Sequence, residues 1–455
     1  MALSIKPYIE NKERIHLIGI GGVSMNSLAE LLLSKGVPVS GSDRLRTDVT
    51  ARLEALGASI TYEHRPENVE GASLIVRTAA VHDENPEIVR AHELGIPVME
   101  RAEAWGHIMR DYDNVVCLSG THGKTTSTSM MTMMTIEAQM DPTVMVGSNL
   151  PAIGGTLRIG GKGCFVAESC EYTNSFLRFA PTVSVILNVE EDHLDFFKDI
   201  NDIIHSFHEF AELTPMNGLV VVNHDDPNAM RAVAHIDRRI RTFGTTSDAD
   251  VYPTEVRDEN GYYRFTVNID GKEYAKVALS VPGRHNMLNA LACCAAAEFL
   301  GVPGEAAEKG LNKLPGSSRR FQLVGKMPNG ATVVDDYAHH PSEMKATLST
   351  AKEMHFDRIL CAFQPHTYTR TKALFPEFVD ALKQCDQAIL APIYAAREQN
   401  IGIYSSDIAK EVPGAVSFDT FDEIADYLRK NAGPNDLVLT MGAGNINTVG
   451  PMLIK

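Results

Sequence analysis

Apolar and polar residues follow one another along this chain in a pattern that is typical of parallel α/β proteins. Short apolar runs, each followed by glycine or polar residues, alternate with longer stretches that carry apolar residues at helical spacing. Strands are expected at 14–18, 37–40, 115–118 and 332–334, among others, and helices at 27–33, 129–136 and 286–300. The pattern therefore predicts parallel sheets, with ligand-binding loops at the carboxyl ends of their strands.

The same pattern divides the 455 residues into three consecutive α/β domains. Residues 1–110 are predicted to form a Rossmann-like domain, and residues 111–322 a P-loop domain with a small antiparallel insert near 250–280. Residues 323–455 are predicted to form a second Rossmann-like domain. A length of about 150 residues for each domain is ordinary.

The most informative stretch is Leu-Ser-Gly-Thr-His-Gly-Lys-Thr-Thr at 118–126, between an apolar strand and a helix. Backbone N–H groups of such a loop surround phosphate oxygens, the lysine reaches the β- and γ-phosphates, and the threonine hydroxyl ligates Mg²⁺. Leu118 stands where the general pattern has its first glycine, so this loop is a shortened form. The alternative is a Gly-Lys-Thr turn that merely opens a helix.

A second glycine loop, Gly19 to Ser24, follows the first predicted strand, and Asp43 follows the second. The loop is similar to a dinucleotide-binding turn except that Ser24 replaces the third glycine. Alone it would suggest a nicotinamide-dependent dehydrogenase. Two phosphate loops in one chain favour a protein that binds two nucleotides, one as fuel and one as part of its substrate.

Acidic residues and a histidine follow two strands of the middle segment. Glu168 and Glu171 follow the run at 164–167, and residues 190–193 follow the run at 183–188. A carboxylate and His193 could complete a Mg²⁺ site with Thr125, although histidine is a softer ligand than Mg²⁺ prefers. His193 is equally compatible with a structural role, and Glu191 with a solvated loop.

Polar clusters also follow two strands of the third segment, at 335–341 and 363–371. Their position after neighbouring strands predicts a binding edge that faces a cleft. Arg370 could hold a substrate carboxylate with two parallel hydrogen bonds. A single histidine here could instead be a surface or capping residue.

Composition narrows the class of protein. A net charge of −16 argues against a nucleic-acid-binding protein, and the 44% hydrophobic content is that of a globular one. The seven cysteines are odd in number and lack zinc-binding spacing, which indicates buried reduced thiols. There is no signal-like start and no apolar run near the roughly 18 residues of a membrane span, so we expect a cytoplasmic protein.

Taken together, the motifs resemble those of the ATP-dependent Mur ligases of peptidoglycan precursor synthesis. The resemblance extends over all three segments, and the two third-segment clusters narrow it towards the member that adds the first amino acid and its close relatives. The matching stretches are Gly-Ile-Gly-Gly-x-x-Met at 19–25, Gly-Thr-His-Gly-Lys-Thr-Thr at 120–126, Ala-Glu-x-x-Glu at 167–171, Asn-Val-Glu-x-Asp-His-Leu-Asp at 188–195, Gly-Arg-His-Asn-x-x-Asn at 283–289, Arg-Arg-Phe-Gln at 319–322, Asp-Asp-Tyr-Ala-His-His-Pro at 335–341 and Phe-Gln-Pro-His-x-x-x-Arg at 363–370.

The resemblance implies ATP as co-substrate, one or two Mg²⁺ ions, an acyl-phosphate intermediate, and a monomer or homodimer without membrane or nucleic-acid partners. It also implies roles for individual residues. ATP would bind at Gly120, Thr121, His122, Gly123, Lys124, Thr125, Thr126, Asn286, Asn289 and Arg320; the UDP-sugar at Gly21, Gly22, Ser24 and Asp43; the amino acid at His339, His366 and Arg370; and metal at Thr125, Glu171 and His193. The catalytic set would be Lys124, Glu171, His193, Arg320 and His339, with Glu171 or His339 as the general base.

Two departures from the family pattern concern the site. Cys170, Tyr172 and Thr173 flank Glu171 where many members have acidic residues or serine, and Thr367 stands where many have arginine. These departures bear on metal geometry and on strict selection of L-alanine. The alternatives are a recycling ligase that adds a preformed peptide, a folylpolyglutamate synthase-like ligase, the dehydrogenase, and a non-catalytic nucleotide-binding regulator.

Overall fold

The computed structural model describes residues 3–314, 318–396 and 398–454. They form three consecutive α/β domains, each built on its own sheet. The predicted fold class is confirmed.

The N-terminal domain has a five-stranded parallel sheet in the order β3-β2-β1-β4-β5. Its central strand β1 is buried along its whole length, as expected for a sheet covered by helices on both faces. The elements are β1 (Ile15–Ile18), β2 (Val39–Ser42), β3 (Ser59–Thr61), β4 (Leu74–Arg77) and β5 (Val98–Glu100), with α1 (Lys6–Glu10), α2 (Val23–Ser34), α3 (Asp48–Ala55), α4 (Pro86–Glu93) and α5 (Arg101–Met109).

The middle domain has a ten-stranded sheet in the order β15-β14-β13-β12-β11-β10-β6-β9-β7-β8. Strands β13 to β15 pair antiparallel, which confirms the predicted insert and shows that it extends the main sheet. The strands are β6 (Asn114–Ser119), β7 (Thr143–Leu150), β8 (Gly155–Arg158), β9 (Cys164–Glu168), β10 (Val183–Ile186), β11 (Leu219–Asn223), β12 (Ile240–Phe243), β13 (Val251–Glu259), β14 (Tyr262–Ile269) and β15 (Lys272–Ala278). The helices are α6 (Lys124–Glu137), α7 (Ile200–Glu212), α8 (Pro227–Ala232), α9 (Arg284–Phe299) and α10 (Gly304–Asn312).

The C-terminal domain has a six-stranded sheet in the order β16-β17-β21-β18-β19-β20, in which only the β16 edge is antiparallel. Its elements are β16 (Gln322–Lys326), β17 (Thr332–Asp336), β18 (Ile359–Phe363), β19 (Gln387–Leu390), β20 (Val416–Ser417) and β21 (Leu437–Met441), with α11 (Pro341–Glu353), α12 (Tyr368–Ala373), α13 (Phe375–Leu382), α14 (Ser405–Glu411), α15 (Phe421–Asn431) and α16 (Val449–Leu453). Short 3₁₀ helices lie at Pro66–Val69, Pro151–Ile153, Tyr172–Arg178 and Ile446–Thr448.

The two junctions between domains differ in chemistry. One apolar core runs from the N-terminal domain into the middle domain, where Trp105 packs edge-on against Phe165 with ring centroids 5.9 Å apart. The apolar clusters of the C-terminal domain contain only its own residues, and polar pairs such as Arg370 with Asp192 join it to the middle domain. Because polar contacts resist separation less than a shared apolar core, we expect any domain movement to involve the C-terminal domain.

Two expectations about local structure need correction. The strand expected at 37–40 lies at Val39–Ser42, and the helix expected from residue 129 begins at Lys124. All seven cysteines are free, but Cys170 is exposed rather than buried. No helix in the described ranges has the length and apolar character needed to cross a membrane.

Candidate active site

The loop between β6 and α6 has the shape that a phosphate cradle requires. Gly120 and Gly123 adopt φ values of +147° and +84°, which side chains with a Cβ rarely adopt. A Cβ at Gly123 would lie 2.7 Å from Asn289 Oδ1, so the close approach of α9 also requires glycine. The loop therefore needs glycine at both positions, and it leads directly into the first turn of α6.

Lys124 lies inside this loop. Its Nζ donates to the Thr121 carbonyl oxygen at 3.0 Å and lies 3.0 Å from Glu171 Oε2. Burial lowers the pKa of Lys124, but the surrounding acidic groups, with Glu171 first among them, together outweigh burial and leave that pKa raised. Lys124 is consequently a fixed cation at the mouth of the loop.

Thr125 faces a different carboxylate from the one that the sequence suggested. Its Oγ1 donates to Glu168 Oε1 at 2.9 Å, and the Gly147 amide donates to Glu168 Oε2 at 2.6 Å. The adjacent Ser148 hydroxyl is buried and has no hydrogen-bond partner among the described residues. A hydroxyl and a carboxylate are oxygen ligands of the kind that Mg²⁺ takes, so these residues fit the metal that the loop implies.

Glu171 and His193 bring a carboxylate and an imidazole together beside the phosphate loop. His193 Nε2 lies 3.9 Å from Glu171 Oε1, and the His193 ring stacks on Tyr172 with centroids 4.4 Å apart. Burial lowers the pKa of His193, although Asp192 and Glu171 oppose that effect. A neutral imidazole held in this way can donate a lone pair to a metal.

Asn286 and Asn289 lie on the first turns of α9 and are buried. Asn289 Nδ2 donates to Asn286 Oδ1 at 3.1 Å, and Asn286 Nδ2 donates to the Pro282 carbonyl at 2.7 Å. Both line a cavity of about 200 Å³ that extends from the phosphate loop to Arg320. The cavity therefore connects the phosphate loop with the asparagines of α9 and with Arg320, a span that suits a nucleoside triphosphate.

Glu343, on the first turn of α11, connects the middle and C-terminal domains. Its Oε1 lies 3.3 Å from His122 Nδ1 and 3.8 Å from Arg320, and its Oε2 lies 3.2 Å from His339 Nδ1. His122 Nε2 also hydrogen-bonds Ser342 Oγ at 2.6 Å. The loop and the third domain thus meet through charge-assisted contacts.

His122 is positively charged in this arrangement. Burial lowers its pKa, but Glu190 and Glu343 raise it to about 9 overall. The neighbouring cations in turn hold the pKa of Glu343 well below its usual range despite burial. His122, Glu190 and His340 lie close enough together to hold a metal ion, but a protonated His122 has no lone pair to offer.

A second cavity of about 370 Å³ lies between the middle and C-terminal domains and is bordered by His193, His366 and Arg370. Arg370 donates to Asp192 Oδ1 at 2.8 Å. Burial lowers the pKa of His366 to about 4, and its Nδ1 is buried without a partner in the part of the chain that the structure describes. The walls therefore combine the Arg370 cation with a neutral His366 and with carboxylates, which are those of Glu191, Asp192, Asp195 and Glu398.

The N-terminal glycine loop is held by Asp43. The Gly21 amide donates to Asp43 Oδ2 at 2.8 Å, and a Cβ at Gly21 would lie 2.8 Å from the same oxygen. Gly22 caps α2, and Trp105 donates its indole N–H to the Ser24 carbonyl at 3.2 Å. Asp43 thus shapes the loop, while Gly22 and Ser24 border the start of α2.

The structure brings the middle and C-terminal candidates together, whereas the N-terminal glycine loop lies at the carboxyl edge of a separate sheet. Sequence reasoning missed Glu343 and did not pair Thr125 with Glu168. The three-residue spacing from His340 to Glu343 is that of a helix capping box, which is present in the structure, and it was the available signal for Glu343. No signal in the sequence could separate the roles of Glu168 and Glu171.

Comparison with known proteins covers nearly the whole chain. Three family models match: Mur ligase family, catalytic domain, at 14–113; Mur ligase middle domain, at 118–297; and Mur ligase, glutamate ligase domain, at 319–444. A UDP-N-acetylmuramate–L-alanine ligase of Acetivibrio thermocellus is 47% identical over 97% of this chain and 96% of its own, and one of Agathobacter rectalis is 47% identical over 97% of each. The crystal structure of UDP-N-acetylmuramate-alanine ligase from Thermotoga maritima has a TM-score of 0.81 at 28% identity, covering 97% of this chain and 98% of that one.

Proposed function

Since this chain belongs to the Mur ligase family, we propose that it is the ATP-dependent ligase that joins L-alanine to the lactyl carboxylate of UDP-N-acetylmuramate, in peptidoglycan precursor synthesis. The observation that carries the proposal is the convergence of the Lys124 loop, the Glu171–His193 pair and the cavity beside Arg370 at one junction. ATP, the lactyl carboxylate and the amine of L-alanine could meet at this junction.

The chemistry has two steps. The lactyl carboxylate attacks the γ-phosphorus of ATP, which breaks the bond to the β-phosphate oxygen and gives an acyl phosphate and ADP. The alanine amine, after losing a proton from its ammonium form, attacks the acyl carbon, and phosphate leaves as the amide forms. Two anions must approach each other in the first step, so cations around them lower its barrier.

Lys124, Arg320 and the loop amides would supply that positive field. Lys124 is fixed beside the loop carbonyls, where a β- or γ-phosphate would replace part of its contact with Glu171. Arg320 reaches the same cavity from the domain junction, and Asn286 and Asn289 would contact the adenine. These assignments follow the family pattern and agree with the geometry of the cavity.

We assign the divalent metal ligands in two groups. Thr125 and Glu168 would hold the ion that accompanies ATP, and Glu171 and His193 would hold a second one near the substrate carboxylate. Bound Mg²⁺ would supply charge neutralisation of phosphate and carboxylate oxygens. Glu168 joins the ligands expected from the sequence because its carboxylate, and not that of Glu171, faces the threonine.

His339, His366 and Arg370 would bind the amino acid. Arg370 is the cation available for its carboxylate, although in this structure it also pairs with Asp192. His339 holds Nδ1 against the Tyr337 carbonyl at 3.0 Å and Glu343, and its Nε2 has no hydrogen-bond partner in the described ranges. We therefore favour His339 over Glu171, which is already paired with Lys124, as the general base.

Product formation with defined amines tests the proposal. Purified protein, ATP, Mg²⁺ and UDP-N-acetylmuramate are incubated with L-alanine, glycine, L-serine or a cell-wall tripeptide, and ADP and the coupled product are measured. We expect turnover with L-alanine above the other amines. Turnover with the tripeptide alone would contradict the proposal in favour of the recycling ligase.

Two variants test the residue roles in the same assay. Lys124→Ala should lose activity by at least about a hundredfold, because it removes a charge-assisted contact to the transferred phosphate. Lys410→Ala is the matched control, since Lys410 is exposed and pairs only with Asp407 within α14 among the described residues. Full activity of Lys124→Ala would refute the role of the loop.

A further inference from the structure

Arg101 carries a guanidinium without a counter-ion. Its Nε is closed to solvent and has no hydrogen-bond partner, and the described residues form no ion pair with it. The carboxylate of Glu100, the preceding residue, acts on Arg101 electrostatically but forms no ion pair with it among the described residues. The carboxylate of Glu103 is engaged elsewhere, since it accepts from the Glu100 amide and lies 3.7 Å from Arg178. An unpaired, largely desolvated cation is costly, so folded proteins seldom keep one without a use.

Arg101 stands at the corner between the N-terminal and middle domains. It opens α5, directly after β5, at the same carboxyl edge of the sheet as the glycine loop. Trp105, one helical turn further on, donates to the carbonyl of Ser24 in that loop. Residues i and i+4 of a helix share a face, so the Arg101 side chain projects from the face of α5 that carries the glycine-loop contact.

The other wall of this corner belongs to the reaction centre. Helix α5 packs so closely on the 3₁₀ helix Tyr172–Arg178 that a Cβ at Gly106 would lie 1.8 Å from the Arg178 carbonyl oxygen. Burial lowers the pKa of Arg101, and Cys170, which directly precedes Glu171, is the first group that opposes this effect. Cys170 is itself exposed, so the corner is open to a ligand.

We propose that Arg101 binds an oxyanion of the sugar nucleotide, and so is a further substrate-binding residue of this ligase. The glycine loop on one side and Glu171 on the other define the path along which the substrate would lie, and Arg101 occupies the corner between them. The chemical class of the ligand rests on the proposed function. A guanidinium pairs in bidentate fashion with phosphate or carboxylate, so either the diphosphate or the lactyl carboxylate satisfies it.

Calorimetric titration of wild type, Arg101→Met and Arg101→Lys with UDP, UDP-N-acetylglucosamine and UDP-N-acetylmuramate tests this inference. We expect Arg101→Met to weaken the binding of UDP-N-acetylmuramate by about 30-fold or more. Arg101→Lys should weaken it less, because lysine keeps the charge but not the planar guanidinium. Affinity for a non-hydrolysable ATP analogue should stay unchanged. Arg178→Met is the matched control, because Arg178 lies at the same junction but is exposed.

The three ligands separate the two oxyanions. Equal losses for all three assign Arg101 to the diphosphate, and a loss confined to UDP-N-acetylmuramate assigns it to the lactyl carboxylate; both support the inference. Affinities within twofold of wild type for all three would overturn it. Failure of the wild type to bind UDP-N-acetylmuramate would instead contradict the proposed function.

Thermal unfolding without ligand gives an independent readout. Removing an unpaired buried charge should stabilise the protein, so Arg101→Met should melt higher than wild type while binding substrate less well. A lower melting temperature would show that the guanidinium has a structural partner, and would overturn the inference.

Discussion

The contact between His122 and Glu343 makes the docking of the C-terminal domain dependent on charge. The two side chains come from different domains, lie 3.3 Å apart, and are only 15% and 12% exposed. Two unit charges at this distance attract by about 5 kcal/mol at an effective dielectric constant near 20, before desolvation is subtracted. We expect a net coupling of about 2 kcal/mol, which is roughly a 30-fold change in the docking equilibrium.

A double-mutant cycle measures this coupling. His122→Asn, Glu343→Gln and the double variant are compared by hydrogen exchange of the amides at the start of α11, with correction for intrinsic exchange rates. Lys410 and Asp407 provide a control pair, 2.9 Å apart but 71% and 35% exposed, for which about 0–0.5 kcal/mol is expected. A His122–Glu343 coupling as small as that of the control would refute the reasoning.

The same coupling should depend on pH. Because the pKa of His122 is raised from 6.5 to about 9, its stabilisation is complete below pH 6.5 and is lost as the pH rises through about 9. The titratable groups around His122 are Glu190, Glu343, His340 and His285. Burial lowers the pKa of both neighbouring histidines to about 4, so neither titrates in this window. Coupling that persisted unchanged at pH 10 would contradict a charged His122.

Three further predictions concern single sites. Glu168→Gln should raise the Mg²⁺ concentration for half-maximal ADP release by about tenfold, because it removes an anionic oxygen beside the loop threonine; an unchanged Mg²⁺ dependence would reject it as a ligand. Gly123→Ala should weaken the binding of an ATP analogue, measured by calorimetry, by at least about tenfold. Gly36→Ala is the control, because Gly36 has φ +71° but open space around it, and its affinity should not change. Glu87→Leu should lower the free energy of unfolding of the N-terminal domain by about 3 kcal/mol, because it leaves several buried donors unpaired. The fluorescence of Trp105, the single tryptophan, reports this unfolding. An unchanged unfolding curve would contradict the prediction.

Sequence patterns located the elements better than they located their ends. The start of α6 was expected five residues late because its first turn is polar, and apolar periodicity cannot mark a polar turn. The position of β2 was expected two residues early because Val37 and Pro38 are apolar. The strand instead continues through Gly41, where a Cβ would lie 2.6 Å from Ile20 Cδ1, and only the packed structure shows that close approach.

The candidate site divides along a similar line. The phosphate loop was identifiable because its chemistry is encoded in consecutive residues. The partners of Glu168 and Glu171 were not, since Glu168 ends β9 and Glu171 lies in the irregular segment before the 3₁₀ helix Tyr172–Arg178. Spacing along an irregular segment does not tell which carboxylate faces which cation.

The sequence by itself determined three α/β domains, a nucleotide-binding loop and the polar edges of the sheets, because periodicity and short motifs are local properties. Tertiary structure alone decided that His122 meets Ser342, 220 residues away, that Glu168 faces Thr125, and that the buried Nε of Arg101 has no hydrogen-bond partner among the described residues. Those facts depend on where distant segments pack, and on which charges are left unpaired when they do. Burial and the neighbouring charges then shift the pKa values of these side chains, as they do for His122. No local sequence pattern encodes that burial.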